Sequence, residues 1–444
     1  MVRIFGVLFA CLAGTAFSSA GGFSVSARTM ANGMRILAHE DHDIPNVALY
    51  LFFRVGSRNE RPGITGVSHF LEHMMFNGSG KYGPRDFDLV MEKNGGSNNA
   101  YTTHDVTVYS DWFSRSALEL VLSMEAERLG NLTFDPDMVQ SERKVVLSER
   151  RTTVENDNFG FLSQQLYAAL YQRHPYRWPV LGWVTDIQSW TAADLREYFR
   201  RGYAPNNCVM VAVGDFTASH LFRLVEKYFG VLPSRDLPPP VGPVEPEQRR
   251  ERRVELERPA QAPQLLIAYH VSSSAHPDYW PLQVAGAVLT SGHSSRLYRR
   301  LVRHEQIAVS VTSWQRLSLD PGELIFSVDL KQRADVSSAE RALGDEMERL
   351  RTSLVSSREL RAAKNKLLTA RAHEIGTNAG KAEELGDYEV FFGDYRKLFS
   401  APHEIEQVTA SDVQRVAQRH FSPANRTVAT LKATPAAPGT ESAR

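Results

Sequence analysis

Thr191-Ala192-Ala193-Asp194-Leu195 precedes Tyr203-Ala204-Pro205-Asn206-Asn207, and this pattern returns 218 positions later in the chain (191 to 409, 203 to 421). The second copy consists of Thr409-Ala410-Ser411-Asp412-Val413 and Phe421-Ser422-Pro423-Ala424-Asn425. In each copy, a threonine with an aspartate three residues later is typical of a helix N-terminus. A proline turn then leads into a β-rich segment, which we expect to be a strand at 209–213 and again at 427–431. The repeat therefore predicts two similar half-chains, each an α/β domain.

The seam between the half-chains is the stretch 233–263. It contains Pro238-Pro239-Pro240, Pro243 and Pro246, followed by a charged run up to Arg253. Proline-rich composition gives a semi-rigid spacer. We therefore expect an N-terminal domain at 21–232, a linker at 233–263, a C-terminal domain at 264–433 and a disordered tail at 434–444.

The pattern of apolar residues predicts alternating strands and helices in the first half-chain. We expect strands at 47–53 and 106–110, and helices at 86–93, 115–129 and 136–155.

The pentapeptide His69-Phe70-Leu71-Glu72-His73 combines two imidazoles and a carboxylate at helical spacing. Positions i and i+4 of an α-helix lie on the same face, so His69 and His73 can offer two nitrogens to one metal ion. Glu72 borders that face and is the candidate to accept a proton from the attacking water. The alternative is a surface helix that carries two unrelated histidines.

Apolar residues around the motif favour a buried helix over a surface one. Asn77-Gly78 is a helix-stop signal shortly after the motif. Buried imidazoles need polar partners, and a metal ion would supply one to each histidine. The apolar stripe around the histidines consists of Val67, Phe70, Leu71, Met74 and Met75.

A catalytic zinc site needs a third protein ligand, and the charged segment 141–150 is the best candidate to supply it. Glu142 and Glu149 are two helical turns apart and share a face. One could bind the metal while the other orients a ligand. An ordinary solvated helix with glutamates and arginines explains the same spacing equally well.

These residues resemble the M16 (pitrilysin-type, inverzincin) zinc peptidases, a family that includes mitochondrial processing peptidase and bacterial single-unit members. The resemblance rests on the H-x-x-E-H order at 69–73, the glutamates Glu142 and Glu149, and the segment 95–102, which is similar to the family's Asn-Ala-x-Thr strand. Further similar segments are His174-Pro175-Tyr176, 203–207 and 213–215, so that the resemblance covers essentially the whole chain after the N-terminal segment.

The resemblance implies an α+β fold of two homologous α/β-sandwich domains, with the metal helix only in the first. It implies a Zn²⁺ ion bound by His69, His73 and Glu149, with Glu142 orienting a ligand and Glu72 acting as general base. It also implies that Asn99 and Ala100 pair with the backbone of a short or unfolded peptide substrate.

One feature of self-sufficient family members is missing from the second half-chain. Those members carry an Arg and, seven residues later, a Tyr, which contact the substrate and its developing oxyanion. Val302 and Val309 stand at the matching positions here, and Arg303 is one residue away. Since a missing oxyanion donor costs on the order of 100- to 1,000-fold in rate, we predict that a second M16-type subunit supplies the pair in a heterodimer.

Two alternatives remain open. The chain could be a self-sufficient homodimer or monomer that uses Arg303 or Arg296 in place of the missing arginine. It could also be a non-catalytic structural subunit, although such a subunit need not retain three metal ligands together with Glu72.

Composition and the N-terminus give further expectations. The formal net charge is +0, which argues against nucleic acid or an anionic membrane as the main partner. Met1 to Ala20 reads as a cleavable signal peptide, which predicts export to the periplasm, with an uncleaved anchor as the alternative. Cys208 lies in an apolar run and is expected to be a buried strand residue rather than half of a disulfide.

Overall fold

A computed structural model describes residues 23–242 and 244–435. The predicted signal peptide at 1–20 lies outside the described residues, as do residues 436–444 of the predicted tail. Within the described part, no helix combines the length and apolar character needed to cross a bilayer.

The first half-chain forms a mixed sheet with the strand order β1-β2-β6-β3-β5-β4. β2 and β6 are parallel, whereas the neighbouring pairs β1–β2, β6–β3, β3–β5 and β5–β4 are antiparallel. Cys208 begins the central strand β6 and is buried and unpaired, as predicted. The strands are β1 (Ser26–Thr29), β2 (Arg35–Glu40), β3 (Asn46–Phe53), β4 (Ser97–Thr102), β5 (Thr107–Ser114) and β6 (Cys208–Gly214).

The second half-chain repeats this order, and its described residues contain no equivalent of β1. Its sheet runs β7-β11-β8-β10-β9, again with one parallel pair, β7 and β11. The predicted α+β fold of two similar halves is therefore confirmed. The strands are β7 (Arg252–Pro259), β8 (Gln264–His270), β9 (Ala308–Gln315), β10 (Glu323–Leu330) and β11 (Arg426–Thr434).

The helices that connect these strands carry the repeated sequence pattern. Thr191 and Thr409 each accept the backbone N–H of the aspartate three residues later, and each aspartate accepts the threonine's own N–H. The helices are α1 (Val67–Met74), α2 (Asp86–Lys93), α3 (Leu118–Asn131), α4 (Pro136–Arg150), α5 (Asn158–Leu170), α6 (Val184–Ser189), α7 (Ala192–Gly202), α8 (Ala218–Phe229), α9 (Tyr279–Thr290), α10 (Val336–Thr352), α11 (Ser357–Glu374), α12 (Asn378–Phe391), α13 (Lys397–Gln407) and α14 (Ala410–His420).

Several predicted boundaries differ from the structure, including the end of the strand predicted at 106–110, which continues to Ser114, and the start of the helix predicted at 115–129, which is α-helical from Leu118. The linker predicted at 233–263 contains β7. Side chains of this strand alternate between exposed and half-buried positions, as expected for a β-strand, although most of them are charged. The helix predicted at 136–155 is α-helical only to Arg150 and continues as a π-helical turn, Arg151–Glu155. Thr434, placed in the predicted tail, is the last residue of β11.

One helix of each half-chain packs against the sheet of the other half. α12 packs on β3 and β6 of the first sheet, and α5 packs on β7, β8 and β11 of the second. A Cβ atom at Gly386 of α12 would lie 2.0 Å from Cε2 of Phe52, so the close approach requires glycine. Tyr171, directly after α5, donates a 2.6 Å hydrogen bond to the buried Glu323 of the second sheet. This exchange of helices joins the two halves through shared apolar cores.

Candidate metal centre

α1 is a short helix whose entry is fixed by its surroundings. Gly66, which precedes it, has φ +85°, and a Cβ there would lie 2.3 Å from the carbonyl oxygen of Leu181. The buried carboxylate of Glu60 accepts the backbone N–H groups of Gly66 (2.7 Å) and Ser68 (2.8 Å). Burial raises the pKa of Glu60 to about 8, and these two hydrogen bonds oppose the shift. The first turn of α1 is thus held by side-chain and backbone contacts before His69 is reached.

The structure brings His69, His73 and Glu149 together from two helices. One potential ligand atom of each lies within 4.8 Å of the other two. Nε2 of His73 is 3.4 Å from the Glu149 carboxylate, and Nε2 of His69 is 3.7 Å from it. α4 crosses α1 so that Glu149, in its last turn, faces both imidazoles.

Glu142 lies one level further from the cluster, behind His73. One oxygen of Glu142 accepts a hydrogen bond from Nδ1 of His73 (2.6 Å). The second oxygen accepts a hydrogen bond from Asn77 (2.8 Å). Asn77 also donates to the carbonyl of His73. This fixes the orientation of the His73 ring and leaves its Nε2 directed at Glu149.

Glu72 is on the same helix and is held by a hydroxyl of the neighbouring strand. Thr102, the last residue of β4, donates a 2.6 Å hydrogen bond to Oε2 of Glu72. Burial raises the pKa of Glu72, and the hydrogen bond from Thr102 lowers it in part. The carboxylate therefore sits at the end of β4, one residue along α1 from His73.

β4 is one of the two edge strands of the first sheet and pairs with β5 on one side. Asn99 is exposed and Ala100 half-buried, opposite Ser110 and Tyr109 of β5. An outer strand presents unpaired backbone groups on its other side, to which an extended peptide can add. The residues predicted to bind the substrate backbone thus lie on the strand that leads to Thr102 and Glu72.

The two histidines differ in their electrostatic surroundings. Burial, assisted by the neighbouring His73, lowers the pKa of His69 to about 4. Burial also disfavours the charged form of His73, but hydrogen bonds to Glu142 and Glu149 outweigh it and raise the pKa of His73 to about 9. Without a metal ion, the negative charges of Glu142 and Glu149 therefore stabilise the protonated form of His73.

This donor set fits a zinc ion. Two imidazole nitrogens and one carboxylate are the ligand types of a catalytic zinc site, which leaves a coordination position open. Buried Nδ1 of His69 has no hydrogen-bond partner among the described residues. The hydrogen bond that Glu142 accepts from Nδ1 of His73 is the arrangement that usually accompanies a metal-bound histidine.

Sequence reasoning missed three residues that support this centre. Asn77 is four residues after His73, so helical spacing could have placed it beside that ring, but Asn-Gly indicated only a helix end. Thr102 was noted within a strand pattern without its contact to Glu72. No local signal in the sequence connects Glu60 with the N-terminus of α1, because their contact depends on the fold of the 61–65 loop.

The second half-chain offers no counterpart of the centre among the described residues. Val302 lies in a π-helical segment, Tyr298–His304, and packs on the core, whereas Val309 on β9 is 64% exposed. Arg296 donates a 2.7 Å hydrogen bond to Glu359, and the guanidinium of Arg303 lies 5.9 Å from the ring centre of Tyr298.

Comparisons with known proteins match both half-chains to one peptidase family. A family model described as "Insulinase (Peptidase family M16)" matches residues 35–182, and one described as "Peptidase M16 inactive domain" matches residues 189–367. The chain is 27% identical over 409 residues to "Zinc protease PqqE" of Helicobacter pylori, covering 91% of this chain and 92% of that protein. It is also 27% identical to the mitochondrial-processing peptidase subunit beta of Blastocladiella emersonii, covering 87% of this chain and 84% of that protein.

The solved structures extend the likeness to the fold. A protease from Helicobacter pylori superimposes with a TM-score of 0.88 at 26% identity, over 92% of this chain and 100% of that one. The first half of the periplasmic protease PqqL from Escherichia coli gives a TM-score of 0.75 at 21% identity, over 92% of each chain. With both of its M16 domains matched and its fold shared with M16 proteases, the chain belongs to peptidase family M16.

Proposed function

We propose that this chain is the metal-bearing subunit of a zinc-dependent endopeptidase that hydrolyses short or unfolded peptides. The observation that carries the proposal is the convergence of His69, His73 and Glu149 beside Glu72, at the end of the outer strand β4. A non-catalytic scaffold would have no need for this combination of three ligands and an adjacent carboxylate.

The residues divide the chemistry among them. A zinc ion held by His69, His73 and Glu149 would supply Lewis acidity and a lowered pKa for the attacking water. Glu72 accepts the proton of that water through the oxygen that Thr102 does not occupy, and then delivers it to the leaving amine. Glu142 and Asn77 keep the His73 ring in place throughout.

Substrate binding is proposed to occur by strand addition to β4. Backbone groups of Asn99 and Ala100 would hold an extended peptide and direct its scissile bond toward Glu72. Because main-chain hydrogen bonds carry little sequence information, this mode suits short or unfolded peptides of varied sequence.

The second half-chain supports the proposal of a partner subunit. Neither Val302 nor Val309 can donate a side-chain hydrogen bond to a developing oxyanion. Arg296 is engaged by Glu359 and is only 12% exposed at its side chain, so it is a poor substitute. We propose that a second M16-type chain brings an Arg and a Tyr to the centre, and that the N-terminal segment 1–20 directs export to the periplasm.

The catalytic part of the proposal is tested with the Glu72→Gln variant. We expect turnover of an unfolded peptide to fall by about 100- to 10,000-fold, while the bound zinc stays unchanged. Glu247→Gln, an exposed glutamate of the 233–251 segment, is the control. A zinc-loaded Glu72→Gln protein with wild-type turnover would contradict the mechanism.

The partner is tested by assaying the chain alone and mixed with an M16-type chain that lacks the H-x-x-E-H motif. We expect peptide cleavage to require the mixture. Full turnover by the chain alone would show that the partner is not needed and would favour a self-sufficient homodimer.

A further inference from the structure

A cavity of about 530 Å³ lies beside the loop that leads into α1. Its walls are largely apolar and include Val55, Ile64, Trp178 and Tyr198. The segment 238–242, with three prolines and a valine, forms a further part of the wall. Its size and its apolar, aromatic lining are those of a site for a small organic molecule.

The charged groups that line the cavity differ in how firmly they are paired. They include the guanidinium groups of Arg61 and Arg201 and the carboxylates of Asp194 and Glu197. Asp194 accepts hydrogen bonds from the backbone N–H and the hydroxyl of Thr191. Glu197 is shared by Arg200 (3.0 Å) and Arg201 (2.6 Å). Arg61 is 68% exposed at its side chain, and its nearest carboxylate, Asp194, is 4.0 Å away. Arg61 is therefore the cation with the weakest existing partner.

The other charged groups of the lining are already engaged. Arg58 is bonded to Asp320 (2.5 Å) and lies 3.3 Å from Asp105. Both oxygens of Glu60 accept backbone N–H groups at the start of α1. A ligand in this cavity would consequently meet an apolar, aromatic interior and one available positive charge at the entrance.

We propose that this cavity binds a small aromatic molecule that carries a single negative charge. The rings lie against Trp178, Tyr198 and the proline wall, where stacking and apolar burial stabilise them. The anionic group pairs with Arg61 at the mouth. This site is separate from the metal centre and does not rest on the proposed peptidase activity.

The same walls connect the cavity to α1. Glu60 holds the amides of Gly66 and Ser68, and the Tyr198 hydroxyl is 2.7 Å from Oγ of Ser68. Ser68 directly precedes His69. A bound ligand that immobilises Glu60 and Tyr198 therefore also stabilises the first turn of α1.

Two fluorescent probes test the site on the intact protein. 1-Anilinonaphthalene-8-sulfonate has the proposed chemistry, and N-phenyl-1-naphthylamine has the same rings without the charge. We expect saturable binding of both. Gly242→Phe should weaken both at least tenfold, because Gly242 lines the cavity and the open space around its Cβ position leaves room for a ring that competes with the probe. Val244→Phe, two residues away and 82% exposed, should change neither by more than about twofold.

The charge is tested separately by Arg61→Gln. Because the Arg61 side chain is exposed, this variant should fold even if Gly242→Phe does not. It should weaken the sulfonate probe by about twofold to fivefold, as for an exposed ion pair, and leave the neutral probe unchanged. Hydrogen exchange of the Gly66 and Ser68 amides should slow when the sulfonate probe binds.

Equal binding to wild type and a folded Gly242→Phe would overturn the site. Equal effects of Arg61→Gln on both probes would overturn the anionic ligand, and unchanged exchange would overturn the link to α1.

Discussion

The two half-chains share a strand order but differ in the helix that follows their second common strand. In the first half, β3 leads to α1, which carries His69, Glu72 and His73. In the second half, β8 leads to α9, a helix without a histidine or an acidic residue and buried at every position except Gln283. One helix thus presents a polar face to a centre, while the other serves only the core.

This difference shows where the chemistry of the fold is placed. The strands, the capped helices α7 and α14 and the exchanged helices α5 and α12 provide a scaffold that tolerates either helix. Glu149 reaches the centre from α4, whose continuation through a π-helical turn into α5 packs on the second sheet. The third proposed ligand is therefore tied to both halves, although the centre belongs to the first.

The largest effect is expected from removing that third ligand. Glu149→Gln should reduce bound zinc from about one per chain to a small fraction and abolish turnover, because two histidines do not complete a catalytic site. Metal analysis after dialysis measures this. Glu155→Gln, in the following π-helical turn, is the matched control and should retain zinc. Full zinc content in Glu149→Gln would remove Glu149 from the ligand set.

A second effect is expected from giving the second half the groups that it lacks. The double substitution Val302→Arg and Val309→Tyr should raise the activity of the chain alone by up to about 100-fold, through pairs of identical chains. The measurement is the rate of peptide cleavage at increasing protein concentration. Val309→Tyr alone, on an exposed site, tests whether the tyrosine is tolerated. A folded double variant that gains nothing would contradict the assignment of these positions.

A smaller effect is expected from the hydrogen bond behind His73. Glu142→Gln should weaken zinc binding by about 10- to 100-fold, since the carboxylate orients and polarises the imidazole. Competition with a chromophoric chelator gives the affinity. Ser141→Ala, its exposed neighbour, should bind zinc as the wild type does. Unchanged affinity in Glu142→Gln would show that the 2.6 Å contact does not serve the metal.

The smallest effect is expected on stability, from removing the threonine caps that the two halves share. Thr191→Ala and Thr409→Ala each remove one helix cap and should each lower the free energy of unfolding by about 1 kcal/mol. Urea unfolding of the two variants measures this, with Thr191→Ser and Thr409→Ser as controls that keep the hydroxyl. A clear loss from one substitution and none from the other would mean that the repeated caps do not have equivalent roles.

The sequence predicted the features that depend on local pattern. The repeat at 191 and 409 predicted two halves, and the spacing of His69 and His73 predicted a shared helix face. The contacts of Thr102 with Glu72 and of Asn77 with Glu142 join distant segments, so only the fold shows them. β7 was not predicted, because most of its residues are charged and the segment therefore resembled the charged linker before it. The exchange of α5 and α12 between sheets has no sequence signal at all.

Anomalous diffraction at the zinc absorption edge, from crystals of the zinc-loaded protein, tests the central claim most directly. We expect one strong peak in contact with Nε2 of His69, Nε2 of His73 and the carboxylate of Glu149, and none in the second half-chain. A zinc peak elsewhere, or none between these three side chains at full zinc loading, would contradict the account.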